Sequence, residues 1–156
     1  MHKMLDKFEK IVRASAPFAR SSKVSTEMHP FDERNIHPEI ATITSKLFDD
    51  GHYAQATFEA YKYIDKRVQN LSGESDSGYK LMMKAFSDTS PLIQLTPLST
   101  ASEIDEQKGF QFIFAGSVMA IRNPRGHEYS FPETLDQCLD NLSLASLLMR
   151  RLDHHV

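Results

Sequence analysis

The chain has 156 residues, a formal net charge of −3, 40% hydrophobic and 25% charged residues, which suits one domain with a real core and excludes a disordered chain. No uninterrupted apolar run approaches the length of a bilayer, so no membrane-spanning helix is expected. The single cysteine, Cys138, excludes an internal disulfide and a cysteine-rich zinc site, and it points to a reducing, cytoplasmic setting.

The start, Met1 to Lys10, is rich in charge and lacks the apolar core of a secretory signal. Leu5, Phe8, Ile11 and Val12 recur at helical spacing and predict an amphipathic helix over residues 4–16, limited by Pro17. Ser21, Ser22, Ser25 and Pro30 then break the periodicity, so residues 18–35 read as an irregular linker. The expected organisation is an N-terminal helix and linker over 1–35 and a helical domain over 36–156.

His37-Pro38-Glu39 opens a helix, with proline in its first turn. Ile40, Ile43, Leu47 and Phe48 give it one apolar face, and Asp49-Asp50-Gly51 stops it. A second helix follows at once and runs to about Leu71, with Phe58, Tyr61, Ile64, Val68 and Leu71 in one stripe. So short a joint predicts an antiparallel pair. After a flexible connection over 71–78, a short helix is expected over 79–86. Tyr79, Met82, Met83 and Phe86 form its apolar side, with Leu81 flanking. Pro91 and Pro97 exclude a long helix over 87–100, leaving a partly buried loop or a small strand.

Thr100-Ala101-Ser102-Glu103 has the spacing of a capping box. The helix it opens is expected to reach about Ile121, with Phe110, Phe114, Val118 and Ile121 in one stripe and Phe112, Ile113 and Met119 widening it. So apolar a helix reads as the central one, covered on more than one side. Asn123-Pro124-Arg125-Gly126 is turn chemistry and is expected to stop it. Ser130-Phe131-Pro132-Glu133 has capping-box spacing and opens a last helix over 133–152. Leu135, Cys138, Leu142, Ala145, Met149 and Leu152 form its seam, broadened by Leu139 and Leu148. Nothing reads as a βαβ unit. The expected fold is all-α, an antiparallel bundle of four to five main helices.

The chemistry concentrates where the two last helices meet. Arg122 stands at the end of one, with Arg125 and His127 in or just past the turn. A histidine titrates near neutrality and moves protons; an arginine holds phosphate through a planar, permanently charged fork. Together they can stabilise a phosphorane-like transition state and protonate a leaving oxygen. RNA cleavage by its own 2′-hydroxyl needs such groups and no metal. On residue types alone the alternative stays open: Arg122 complements the negative helix end and His127 bonds a neighbouring loop. Elsewhere, His29, His37 and His52 show no ligand spacing, and His154 and His155 lie at a fraying terminus. Cys138 falls on an apolar face, and Arg150 and Arg151 read as helix-end solvation. No metal site or cofactor is expected.

Arg122-Asn123-Pro124-Arg125-Gly126-His127 resembles the motif of the HEPN superfamily, an arginine, a polar residue, and a histidine after four intervening residues. It also sits where that superfamily has it, between the two final long helices of an all-helical bundle. Within the superfamily the chain is most similar to the Ymh-like group of conserved bacterial proteins. The helical arrangement resembles the fold over about residues 36–152. The resemblance implies a metal-independent endoribonuclease, a toxin or anti-phage effector, working as a homodimer that brings two motifs into one cleft. It implies RNA as substrate and an antitoxin or sensor as a further partner. On that carry-over Arg122 polarises the scissile phosphate, His127 is general acid or base, and Asn123 positions the arginine or the phosphate. Arg125 and Tyr129 are candidates for a neighbouring phosphate or base. An acidic or polar residue of the earlier long helix often supports such a site; Glu59 and Asp65 are the candidates, and the sequence does not choose between them. The alternative within the same fold is a catalytically inactive module that binds nucleic acid or protein.

Overall fold

A computed structural model of the chain describes residues 28–128 and 130–156. The helix expected over 4–16 lies outside the described residues. In chain order the elements are α1 (Pro30–Glu33), α2 (Pro38–Asp49), α3 (Tyr53–Ser72), α4 (Gly78–Ala85), α5 (Ala101–Ser117), a π-helical turn (Val118–Arg122), α6 (Asn123–His127) and α7 (Leu135–Asp153). The fold is an all-α antiparallel bundle, with no strand among the described residues. No helix of the described residues is long and apolar enough to cross a membrane.

Helix starts follow from local chemistry. Pro38 occupies the first turn of α2, and the His37 ring caps it, Nδ1 accepting from the Glu39 N–H at 3.2 Å. The other ring nitrogen meets Asp153 of α7 at 2.8 Å, so the same imidazole ties α2 to the last helix. His29 repeats the device at α1, accepting from the Phe31 N–H and meeting Asp49. That short turn falls inside the stretch expected to be irregular, and it sends Phe31 into the core. Gly51, at φ 79°, makes the left-handed corner between α2 and α3 that other residues resist. The capping box at Thr100 and Glu103 is formed. The one expected at Ser130 is not: Thr134 and Gln137 make it instead, four residues later, because Glu133 is drawn inward.

The central helix is α3, which packs against α2, α4, the π turn, α6 and α7. Ala56, Ala60, Tyr61, Ile64 and Val68 are buried along it, facing Leu142, Ala145, Leu148, Met149 and Leu152 of α7 in the same core. The expectation that the helix from Thr100 would be central is overturned. It is α5, and it leaves Ile104, Phe112, Ile113 and Met119 exposed. The expected stripe does face inward, with Phe114 and Val118 buried and Phe110 and Ile121 packed against the core, and Gln107, Gln111 and Ala115 are buried beside it. The reason is the segment over 87–100, which is a loop rather than a strand, with Ile93 and Leu95 buried and backbone groups that need partners. Gln107 accepts from the Leu95 N–H at 2.8 Å and donates to the Ile93 carbonyl at 3.0 Å; Gln111 donates to the Met83 carbonyl at 2.7 Å. Two buried glutamines thus share the inward face with that stripe, and Phe112, Ile113 and Met119, expected to widen it, stay outside. In α4 and just after it, Met82 and Phe86 are buried as expected, but Tyr79 is exposed and Leu81, expected only to flank, is core. Arg151 is not plain helix-end solvation: it donates to the Leu95 carbonyl, pairs with Glu106 and lies over Phe110.

Asp65, on α3, is buried and accepts from the Gly78 N–H at 2.7 Å, anchoring the first residue of α4. Removing that acceptor leaves a buried donor with nothing to bond. Asp65→Ala is expected to cost about 1–3 kcal/mol, read as a lower midpoint in chemical denaturation with an unchanged slope.

Candidate functional site

The Asn-Pro-Arg-Gly stretch does not stop the helix. The chain stays helical from Ala101 to His127, passing through a π turn over Val118–Arg122. Pro124 accounts for the π turn within that run. Pro124 has no N–H, and in an unbroken α-helix its ring clashes with the carbonyl four residues back. Widening the preceding turn relieves the clash: the Asn123 N–H bonds the Val118 carbonyl five residues back, and Pro124 enters the first turn of a new α segment. The Glu128 N–H to Pro124 carbonyl bond, 3.1 Å, closes the run.

Helical register then decides where the motif's side chains go. Arg122 and Gly126, four apart, face α3, and both meet Phe58. The Arg122 guanidinium carbon is 5.9 Å from the ring centroid. A Cβ on Gly126 would sit 2.8 Å from the ring's Cε2, closer than real contacts allow. Glycine is required here by approach, not by backbone angle. Asn123 and His127 share the other side of the helix, and His127 is exposed. Five residues separate Arg122 from His127, which is roughly 140° around the axis and roughly 7.5 Å along it. Within one copy the two leave the helix on different sides, whereas a turn was expected to hold them together.

Arg122 differs from most other described arginines. Arg34, Arg67, Arg125 and Arg151 each lie within salt-bridge distance of a carboxylate. Arg122 has none among the described residues; its Nη1 donates to the Asn123 side-chain oxygen at 3.3 Å, and its Nε is buried without a partner. The neighbouring Arg125 is committed. Its Nε donates to Glu133 at 2.6 Å, Nη1 donates to the Ile121 carbonyl at 2.7 Å, and its guanidinium lies over Phe131. Glu133 also accepts from Thr57 and from the Asn141 amide, both at 2.8 Å. Glu133, which sequence reasoning saw only as a cap, is therefore the hub of the site's support. Phe58 was read only as a core stripe residue, although no aromatic at that position announces a cation partner in another helix.

The remaining candidates separate. Glu59 lies on the surface of α3, accepting from Gln55 and from Lys62. Asp65 is buried at the start of α4, as described above. Tyr129 lies outside the described residues. Cys138 is buried, and that burial pushes its thiol up to about 11, in keeping with a small core residue rather than a nucleophile. An open cleft of about 460 Å³ runs beside the motif between the start of α3 and the 128–133 connection, lined by His52, Tyr53, Gln55, Arg125, Glu128 and Phe131 among others. No group of three or more His, Cys, Asp or Glu that could hold a metal ion occurs among the described residues.

Residues 34–152 match the protein family described as "Protein of unknown function (Hypoth_ymh)". The match covers most of the chain, motif included, and the chain belongs to that family. No curated protein matches it. No solved structure matches it either.

The Arg125–Glu133 pair is nearly free of solvent, with side-chain exposures of 8% and 0%. Breaking one half strands the other charge. Glu133→Ala is expected to destabilise the fold by about 3–5 kcal/mol, measurable as a fall in melting temperature larger than that of Glu59→Ala on the surface.

Proposed function

We propose that the chain is an endoribonuclease of the HEPN type, cleaving RNA without a metal by attack of the substrate's own 2′-hydroxyl. The observation that carries this reading is an arginine, Arg122, with no carboxylate partner among the described residues, five residues before an exposed histidine, on a helical run placed between the two long closing helices of the bundle. Arg122 binds the non-bridging oxygens of the scissile phosphate and gains strength as charge develops there. Asn123, hydrogen-bonded to Arg122, holds the guanidinium in place. His127 takes the 2′-hydroxyl proton or delivers one to the departing 5′-oxygen. The 2′-oxygen bonds phosphorus, the bond to the 5′-oxygen breaks, and the products carry a 2′,3′-cyclic phosphate and a 5′-hydroxyl. The π turn beneath the motif supports the reading, since such turns are found frequently at functional sites. A toxin or anti-phage setting follows from the same resemblance, with an antitoxin or sensor as partner.

The working form is a homodimer. Phe112 and Ile113 of α5 and Met119 of the π turn form an exposed apolar face, with Gly116 among them. Helical register carries that face on toward Asn123 and His127. Contiguous exposed apolar surface of this kind marks a contact site. A second copy seated there brings its own motif beside the first, so that a histidine and an arginine from different copies complete one site. One feature favours a second reading, a binding module that no longer cleaves: within a single copy the register parts Arg122 from His127.

In the presence of chelator, purified protein is expected to cut single-stranded RNA and leave cyclic phosphate ends. His127→Ala is expected to lose about 10²–10⁴-fold in rate while remaining folded. Equal rates in the two proteins remove His127 from the reaction; binding without cutting by either supports the module. Phe112→Glu is expected to convert the dimer to a monomer in light scattering and to abolish cutting. Wild-type protein that is monomeric throughout contradicts the shared site.

A further inference from the structure

Phe58 has two cations on it, not one. Lys62, one turn further along α3, places its Nζ 5.9 Å from the ring centroid, the same distance as the Arg122 guanidinium. The two charges therefore lie within about 12 Å of each other around a single aromatic ring, a grouping that the ring's negative faces favour. The lysine head is not left to wander. Glu59 accepts from it at 3.2 Å, and Gln55 in turn donates to Glu59 at 2.9 Å. Lys62 remains about half exposed, so it keeps donors for a further anion. α3 is the helix that Arg122 and Gly126 face, so Lys62 stands on the same side as the motif's arginine.

We propose that Lys62 binds the RNA backbone at a phosphate next to the one held by Arg122, with Phe58 as the positioning residue that sets both cations. The inference rests on the ribonuclease reading and adds to it a substrate contact outside the motif. Lys62 takes no part in bond making, so it contributes binding that is equal in the ground and transition states. Glu59 acts on the substrate only through the lysine. The plain alternative is that Lys62 and Glu59 form a surface ion pair of small effect and nothing more.

The test uses a fluorescent single-stranded oligoribonucleotide carrying 2′-O-methyl groups throughout, which the protein can bind but not cut. Anisotropy is followed over a range of salt concentrations. Losing one phosphate contact reduces the slope of log affinity against log salt by about 0.7 for a single strand. Lys62→Gln is expected to show that loss and to bind roughly three- to tenfold more weakly at moderate salt. Lys62→Arg is expected to restore both. With cleavable RNA, Lys62→Gln is expected to raise KM and leave kcat in place, the signature of lost uniform binding. If wild type binds and Lys62→Gln matches it in affinity and slope, the lysine contact is wrong and the ribonuclease reading stands. If wild type fails to bind any RNA, the reading falls and the contact falls with it.

Discussion

Glu133 and Arg125 meet at 2.6 Å with almost no water on either side chain. An ion pair so placed survives only if its remaining hydrogen-bonding capacity is met, since the cost of drying two charges is large. Here it is met from three directions. Thr57 of α3 and Asn141 of α7 donate to the same carboxylate, and Arg125 spends a second nitrogen on the Ile121 carbonyl. The connection between α6 and α7 is thereby pinned to the central helix and to the last one. Nearby, Tyr61 donates to the Asn141 carbonyl, and burial pushes its phenol well above the usual range. With the connection fixed, the end of α6 is fixed, and His127 stands two residues past the buried arginine on the outside of the molecule.

A second constraint works at a distance of one helix turn. Phe58 lies so close under α6 that residue 126 has no room for a side chain. That contact brings the backbone of the motif down onto α3 and sets Arg122 over the ring. The two arginines of the motif consequently part in character. Arg125 is structural, its charge spent inside the protein. Arg122 has no carboxylate partner among the described residues, where its neighbours include the Asn123 side-chain amide and the Phe58 ring.

The apolar side of α5 belongs to the same logic. Gln107 and Gln111 turn inward because a buried loop needs donors and acceptors, and this turns Phe112, Ile113 and Met119 outward. The face so exposed leads along the helical run toward the end that carries His127. The family match runs from residue 34 to 152 and so includes the stretch from Arg122 to His127.

The sequence by itself determined the helices and most of their ends. Proline after histidine at 37–38, glycine at 51 and the Thr100–Glu103 pair are local signals, and local hydrogen bonds and backbone angles answer them wherever the rest of the chain lies. It also marked the stretch from Arg122 to His127 as the candidate site. Only the tertiary structure decided that α3 is the central helix and not α5, because a periodic count of apolar residues is blind to which face a neighbour reaches. Only it decided that Asn-Pro continues a helix, since the relief comes from a π turn whose stability depends on what packs against it. Glu133 looked like a cap and became a hub, and Phe58 looked like core and became a platform, for the same reason. The partners that other elements bring to them lie 8 to 76 residues away in the chain, and no short-range pattern encodes a contact that exists only after the helices have come together.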